Sequence, residues 1–180
     1  MDWSAVMVGV VELLLAFGLG FLTVWLAFHS FSRLTRDLDE MNELKQNNTA
    51  IGVLLASIVL STALIVRTAL YPSISTWQTL LHRGFSGGDL LVCLGITLFS
   101  FFFSAMLALV SIWSALRMFL RLTLEIDELH EISRNNVAVA VVLGALIVVM
   151  GFFLSHGVQS LLSAIIPMPS FERIQVMGMP

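Results

Sequence analysis

Cysteine is nearly absent from this chain of 180 residues: Cys93 stands alone, so no disulfide framework can hold a small secreted fold together. Charge is scarce as well. Asp, Glu, Lys and Arg make up 12% of the chain, against about 25% in soluble globular proteins. The formal charge is −3, which offers no basic field, so nucleic acid is not an expected partner. Catalytic and metal-site signatures are missing too. There is no His-Glu-x-x-His, no Gly-x-Ser-x-Gly, no phosphate-binding loop and no Cys–His metal spacing. The expectation is a protein that is not an enzyme and needs no cofactor or structural metal. What the chain does have is apolar surface: 58% of its residues are hydrophobic, and its mean hydropathy is +0.95. Too little polar surface remains to keep a water-facing globule soluble. The expected solvent, and first partner, is a lipid bilayer.

A helix crossing about 30 Å of hydrocarbon needs roughly 20 apolar residues. Four stretches meet that need: Ala5 to Phe28, Thr49 to Leu70, Leu90 to Leu116, and Val137 to Leu154 or on to Ile166. They lack the polar–apolar alternation of barrel strands, so an all-α polytopic membrane protein is predicted. Met1-Asp2-Trp3 has no basic stretch, and no Ala-x-Ala site follows, so the first span is expected to stay as an anchor. Arg33, Arg36 and Lys45 follow the first span, and Arg117, Arg121 and Arg134 follow the third. The positive-inside rule places these connections in the cytoplasm and both termini outside, in the periplasm for a bacterial inner membrane.

The chain also repeats itself. Phe31-Ser-Arg-Leu-Thr-Arg-Asp-Leu-Asp-Glu-Met-Asn-Glu-Leu-Lys-Gln-Asn-Asn-Thr-Ala aligns without a gap on Phe119-Leu-Arg-Leu-Thr-Leu-Glu-Ile-Asp-Glu-Leu-His-Glu-Ile-Ser-Arg-Asn-Asn-Val-Ala. At the same offset Trp25 falls on Trp113, and Gly52, Ala56 and Ala63 fall on Ala140, Gly144 and Gly151. Residues 5–87 and 88–166 thus form two two-span repeats, followed by a loosely ordered tail at 167–180. An even number of spans per copy predicts two parallel hairpins about a pseudo-twofold axis along the membrane normal. The acidic Asp-Glu-x-x-Glu stretch, then Asn-Asn-x-Ala and a small-residue span, resembles the bacterial membrane proteins grouped as domain of unknown function 350. The resemblance covers residues 5 to 166 and implies an inner-membrane protein, with no reaction attached.

From Phe31 to Asn47 no Gly or Pro interrupts the chain, and Leu34, Leu38, Met41 and Leu44 share an arc of about 120°. Leu122, Ile126, Leu129 and Ile132 repeat the pattern. Each segment is expected to bend away from its span near His29–Ser32 and lie on the membrane, apolar face down. Asn47-Asn48 and Asn135-Asn136 would make the turn, the second Asn capping the next span. Asp39, Glu40 and Glu43, with Asp127, Glu128 and Glu131, would then face the cytoplasm. Such carboxylates could be a solvated helix face, dock a basic protein, or gather Mg²⁺ or Ca²⁺.

Inside the spans, Glu12 and Arg67 could pair, or join His156 in a polar pocket or ion path, or Glu12 could be protonated or face water. Gly52 with Ala56, and Ala140 with Gly144, are small-x-x-x-small seams for close helix packing. The function expected from these features is a membrane subunit or scaffold, homo-oligomeric or part of a larger complex. A small oligomeric ion channel is the alternative.

Overall fold

The computed structural model describes residues 3–34, 40–83, 87–122 and 128–166. They form α1 (Trp3–Leu34), α2 (Glu40–Lys45), α3 (Thr49–Val66), α4 (Leu70–Arg83), α5 (Gly87–Leu122), α6 (Glu128–Ser133) and α7 (Val137–Ile165). A 3₁₀ turn at Arg67–Ala69 joins α3 to α4. Four stretches are long and apolar enough to cross a membrane: Gly9–Ser32, Thr49–Gln78, Leu91–Phe119 and Val137–Ile165. The chain is an all-helical, multi-pass membrane protein.

The centre is α3 against α7, the most extensive helix pair, with α5 packed on both. At one end of the pair lies a cluster built from Phe31, Ile51, Leu54, Ile58, Ile112, Phe119, Ile132, Leu143 and Ile147. Helix α1 is peripheral. Only 11% of its most apolar window is buried, and towards its end Thr23, Ala27, Ser30 and Phe31 form a buried edge, at the i, i+4, i+7, i+8 spacing of one helix face. Its other faces leave Leu13, Leu14, Phe17, Phe21 and Trp25 exposed, which in hydrocarbon costs nothing.

The structure corrects three expectations of local structure. Helix α1 does not bend at His29–Ser32 but runs on to Leu34. No Gly or Pro breaks it, Ser30 Oγ donates back to Leu26 O (2.6 Å), and Phe31, within the expected bend, is held in the core. Among the described residues the interfacial segments are helical at Glu40–Lys45 and Glu128–Ser133, and Phe31 belongs to α1 rather than to the first of them. Their apolar residues do not all meet lipid either, since Ile132 is in the core and Leu44 packs against it. The second span, expected to end at Leu70, continues as helix into α4. Pro72 sits in the first turn of α4, where its missing N–H is not needed. The Trp77 indole then donates to Thr97 Oγ1 at 3.2 Å, anchoring α4 on α5.

Candidate functional site

The polar groups of the chain concentrate where α2 meets α3 and α6 meets α7. In each turn the first Asn has left-handed backbone, with φ 59° at Asn47 and 64° at Asn135. Asn tolerates this region better than any residue but Gly, which explains its use here. The backbone closes the end of α2 in two steps: Asn47 N–H donates to Leu44 O and Asn48 N–H to Glu43 O, at 3.1 and 3.0 Å. Asn135 and Asn136 do the same to Ile132 O and Glu131 O. This is the paired bonding by which a helix ends on a left-handed residue. The very next residue then starts a new helix. Asn48 Oδ1 accepts from Ile51 N–H (3.1 Å) and Asn136 Oδ1 from Val139 N–H (3.4 Å), each capping a span as expected.

The acids serve the same turns. Asn48 Nδ2 donates to Glu43 Oε2 at 2.8 Å, and Asn136 Nδ2 to Glu131 Oε2 at 2.9 Å. Both carboxylates are half-buried beside the start of a helix, where the macrodipole favours negative charge. Glu43 and Glu131 are therefore intramolecular partners rather than members of an open acidic face. Asp39 and Asp127 lie outside the described residues, as do the side chains of Glu40 and Glu128. Among the described residues, no three His, Cys, Asp or Glu side chains come together.

The two turns also reach each other. Asn48 Nδ2 lies 3.1 Å from both Ile132 O and Ser133 O at the end of α6, and Asn135 Oδ1 accepts from Ala50 N–H at 3.0 Å. Asn48 thus faces Glu43 and two carbonyls with only two N–H donors, one of them shared. Asn48 is buried and Asn136 only half-buried. Among the described residues, Asn47 and Asn136 make no matching bonds to the other turn.

This asymmetry has a measurable consequence. Gly at position 47 should leave thermal stability in detergent within a few tenths of a kcal/mol, because Gly accepts the left-handed backbone freely. Val there should cost about 1–2 kcal/mol. Asn135→Gly should cost about 1 kcal/mol despite its suitable backbone, because the bond to Ala50 is lost. Equal effects of the two Gly changes would contradict the asymmetry.

A family model described as Domain of Unknown Function (DUF350) matches residues 5–158. The chain belongs to the DUF350 family. The match takes in both Asn pairs, the first three membrane-spanning stretches and most of the fourth, in agreement with the resemblance carried by the acidic and Asn-Asn motifs. No curated protein and no solved structure matches it.

Elsewhere in this DUF350 chain the small-residue seams divide. Ala140 and Gly144 are buried as expected, with Ser57 of α3 directly opposite Gly144. Their counterparts are not so placed. Ala56 is exposed and Gly52 has only Leu44 within reach, at 3.9 Å from a built Cβ, so the first copy presents Ser57 and Ser61 to α7 instead. Ser61 Oγ donates across the interface to Ile147 O at 3.0 Å. Sequence periodicity could not choose between the faces of α3, because it is apolar all round. The intramembrane polar residues do not converge. Glu12, Arg67 and His156 are all exposed, and no ion pair joins Glu12 to Arg67 among the described residues. Arg67 lines a groove with Ala16, Gly20, Thr23 and Ala63, whereas His156 meets the Phe152 ring edge-on on α7.

Proposed function

We propose that this chain is a non-catalytic subunit or scaffold of a bacterial inner-membrane assembly, formed of two pseudo-symmetric parallel hairpins with periplasmic termini. The observation that carries this reading is the pair of bonds from Asn48 to Ile132 O and Ser133 O. They tie the end of α6 to the start of α3, so both short helices lie together at one membrane face as a composite platform. The sequence sets Glu40 and Glu128 at the first residues of α2 and α6, and Lys45 and Arg134 are exposed in the following turns. A partner docking here would therefore be met by charges of both signs, with the acids at the helix starts favouring a basic protein.

One observation favours the alternative, an oligomeric ion channel. Ser100, Ser104 and Ser111 of α5 are buried, and their hydroxyls have no hydrogen-bond partner among the described residues. With Thr97 they form a hydroxyl stripe of about 21 Å along one helix, at 1.5 Å per residue. Water or an ion between helices could satisfy them. Two measurements on the full chain separate the readings. A photo-crosslinker at Lys45 or Arg134 in cells should yield discrete adducts with another protein chain, and liposomes holding the purified protein should show no ion flux. Flux that Ser104→Val suppresses, with no adducts, would establish the channel instead.

A further inference from the structure

A second polar constellation lies where α5 leaves the apolar stretch, on residues other than those of the Asn turns. The guanidinium of Arg117 sits over the Trp113 ring, 3.8 Å from its centroid. Arg121, one helical turn further on, lines the same groove of about 370 Å³ with Trp113, Ser114, Arg117 and Met118. Trp113, Arg117, Met118 and Arg121 are all exposed, and the spanning stretch ends at Phe119 between the two arginines. We propose that Trp113, Arg117 and Arg121 form a binding site for the phosphate of an anionic phospholipid headgroup.

Three features carry the assignment. A guanidinium stacked by its face keeps the N–H donors around its edge available, and that fork matches the oxygens of a phosphate. The stack also holds Arg117 in place, so less side-chain freedom is lost when a ligand binds. Two positive charges one turn apart, with no carboxylate among the described residues that line the groove, complement a phosphodiester. The Trp113 ring and Met118 supply apolar surface for the glycerol and upper acyl chains that a free phosphate lacks. Basic pockets at this level of a membrane protein are recognised lipid sites.

The first repeat carries the same device in altered form. Trp25 stacks on His29 with ring centroids 5.4 Å apart and planes within 6°. These residues correspond to Trp113 and Arg117, and Arg33 takes the place of Arg121 in the sequence. With His in place of Arg, the stacked position has no permanent charge and no five-donor fork. The second repeat is therefore the principal lipid site. The proposal does not depend on orientation, since both leaflets carry phosphodiesters.

The test is native mass spectrometry of the full chain in detergent, incubated with phosphatidylglycerol or with phosphatidylcholine of the same acyl chains. The parent should retain phosphatidylglycerol in preference to phosphatidylcholine, and R117Q/R121Q should lose that retention by about tenfold or more. R67Q removes an exposed arginine elsewhere and should retain lipid as the parent does. R117K/R121K keeps both charges but loses the fork, so a several-fold loss is expected even if the Gln variant does not purify folded. Unchanged retention in either double variant overturns the site. So does an equal loss in R67Q, which would reduce the effect to net charge. Displacement of the lipid by inorganic phosphate would assign the groove to the free anion and overturn the lipid claim.

Discussion

Asn48→Asp should destabilise this protein more than Asn48→Ala, although Asp is as good a helix cap as Asn. The Ala change should cost about 2–4 kcal/mol, combining the lost cap with a buried carbonyl at Ile132 and a half-buried one at Ser133 left unmatched. Asp would keep the bond to Ile51 N–H but has no amide donor. Its carboxylate would face Glu43 Oε2 and two carbonyl oxygens, which the Asn48 amide meets at 2.8 to 3.1 Å. Acceptors would meet only acceptors. Asn136 makes one cap bond and one bond to Glu131, with none to the other turn, so Asn136→Ala should cost about half as much. Glu43→Gln can still accept from Asn48 and should partly rescue Asn48→Asp by removing one of two like charges. Equilibrium unfolding in mixed micelles reads all four. Equal stability of the Asp variant and the parent would show that no donor is needed at position 48. Equal losses in Asp and Ala would show that the added carboxylate carries no penalty of its own.

Gly151→Ala should be the most damaging single-methyl addition in the membrane-spanning part. A Cβ there would meet Ser61 Oγ, and would lie 3.0 Å from Ser61 Cβ and 3.2 Å from its Cα. The obstruction is partly backbone, so α3 and α7 must separate and the Ser61–Ile147 bond must stretch or break. Overpacking of this kind costs about 1–3 kcal/mol. Gly144→Ala meets only side-chain atoms within the same range, namely Ser57 Oγ, Ser57 Cβ at 3.1 Å and Val53 Cγ1 at 3.9 Å. Ser57→Ala should therefore rescue part of Gly144→Ala, while Ser61→Ala should rescue little of Gly151→Ala. Leu at Gly144 should be worse than Ala. Leu at Val142, which is 54% exposed, should be neutral. If thermal stability is the same for Gly151→Ala and Val142→Leu, the two central helices do not approach as closely as described.

The parts of this fold legible in the sequence were those governed by local rules. Four apolar runs of spanning length needed only hydropathy. The Asn-Asn turns needed only the tolerance of Asn for left-handed backbone and its strength as a helix cap, both properties of a few consecutive residues. The family resemblance rested on the same signals, because the acids and Asn stand out against an apolar background. Side-chain direction was a different matter. Glu43 and Glu131 read as solvent-facing acids, since periodicity puts them opposite the leucines. Their folding back onto Asn48 and Asn136 depends on the sharp turn bringing residues five apart within bonding reach. Similarly, the lack of Gly or Pro allows helix α1 to continue past Ser32, but what holds it straight there includes Phe31, packed on core residues distant in the chain.

Only the tertiary structure decided which faces of the central helices meet. In water a helix shows its inner face by being apolar there and polar elsewhere. In hydrocarbon that contrast disappears, and α3 and α7 carry apolar residues on every side. The choice passes to shape: Gly144 and Gly151 leave room, and Ser57 and Ser61 fill it, while the small residues Ala56 and Gly52 lie off the contact. The same loss of contrast hid the hydroxyl stripe of α5 and the arginine stacked on Trp113. The sequence by itself determined the solvent, the number of spans and the turns. The seam, the fate of the acids and the joining of the two turns came from packing between residues far apart in the chain, which no local pattern encodes.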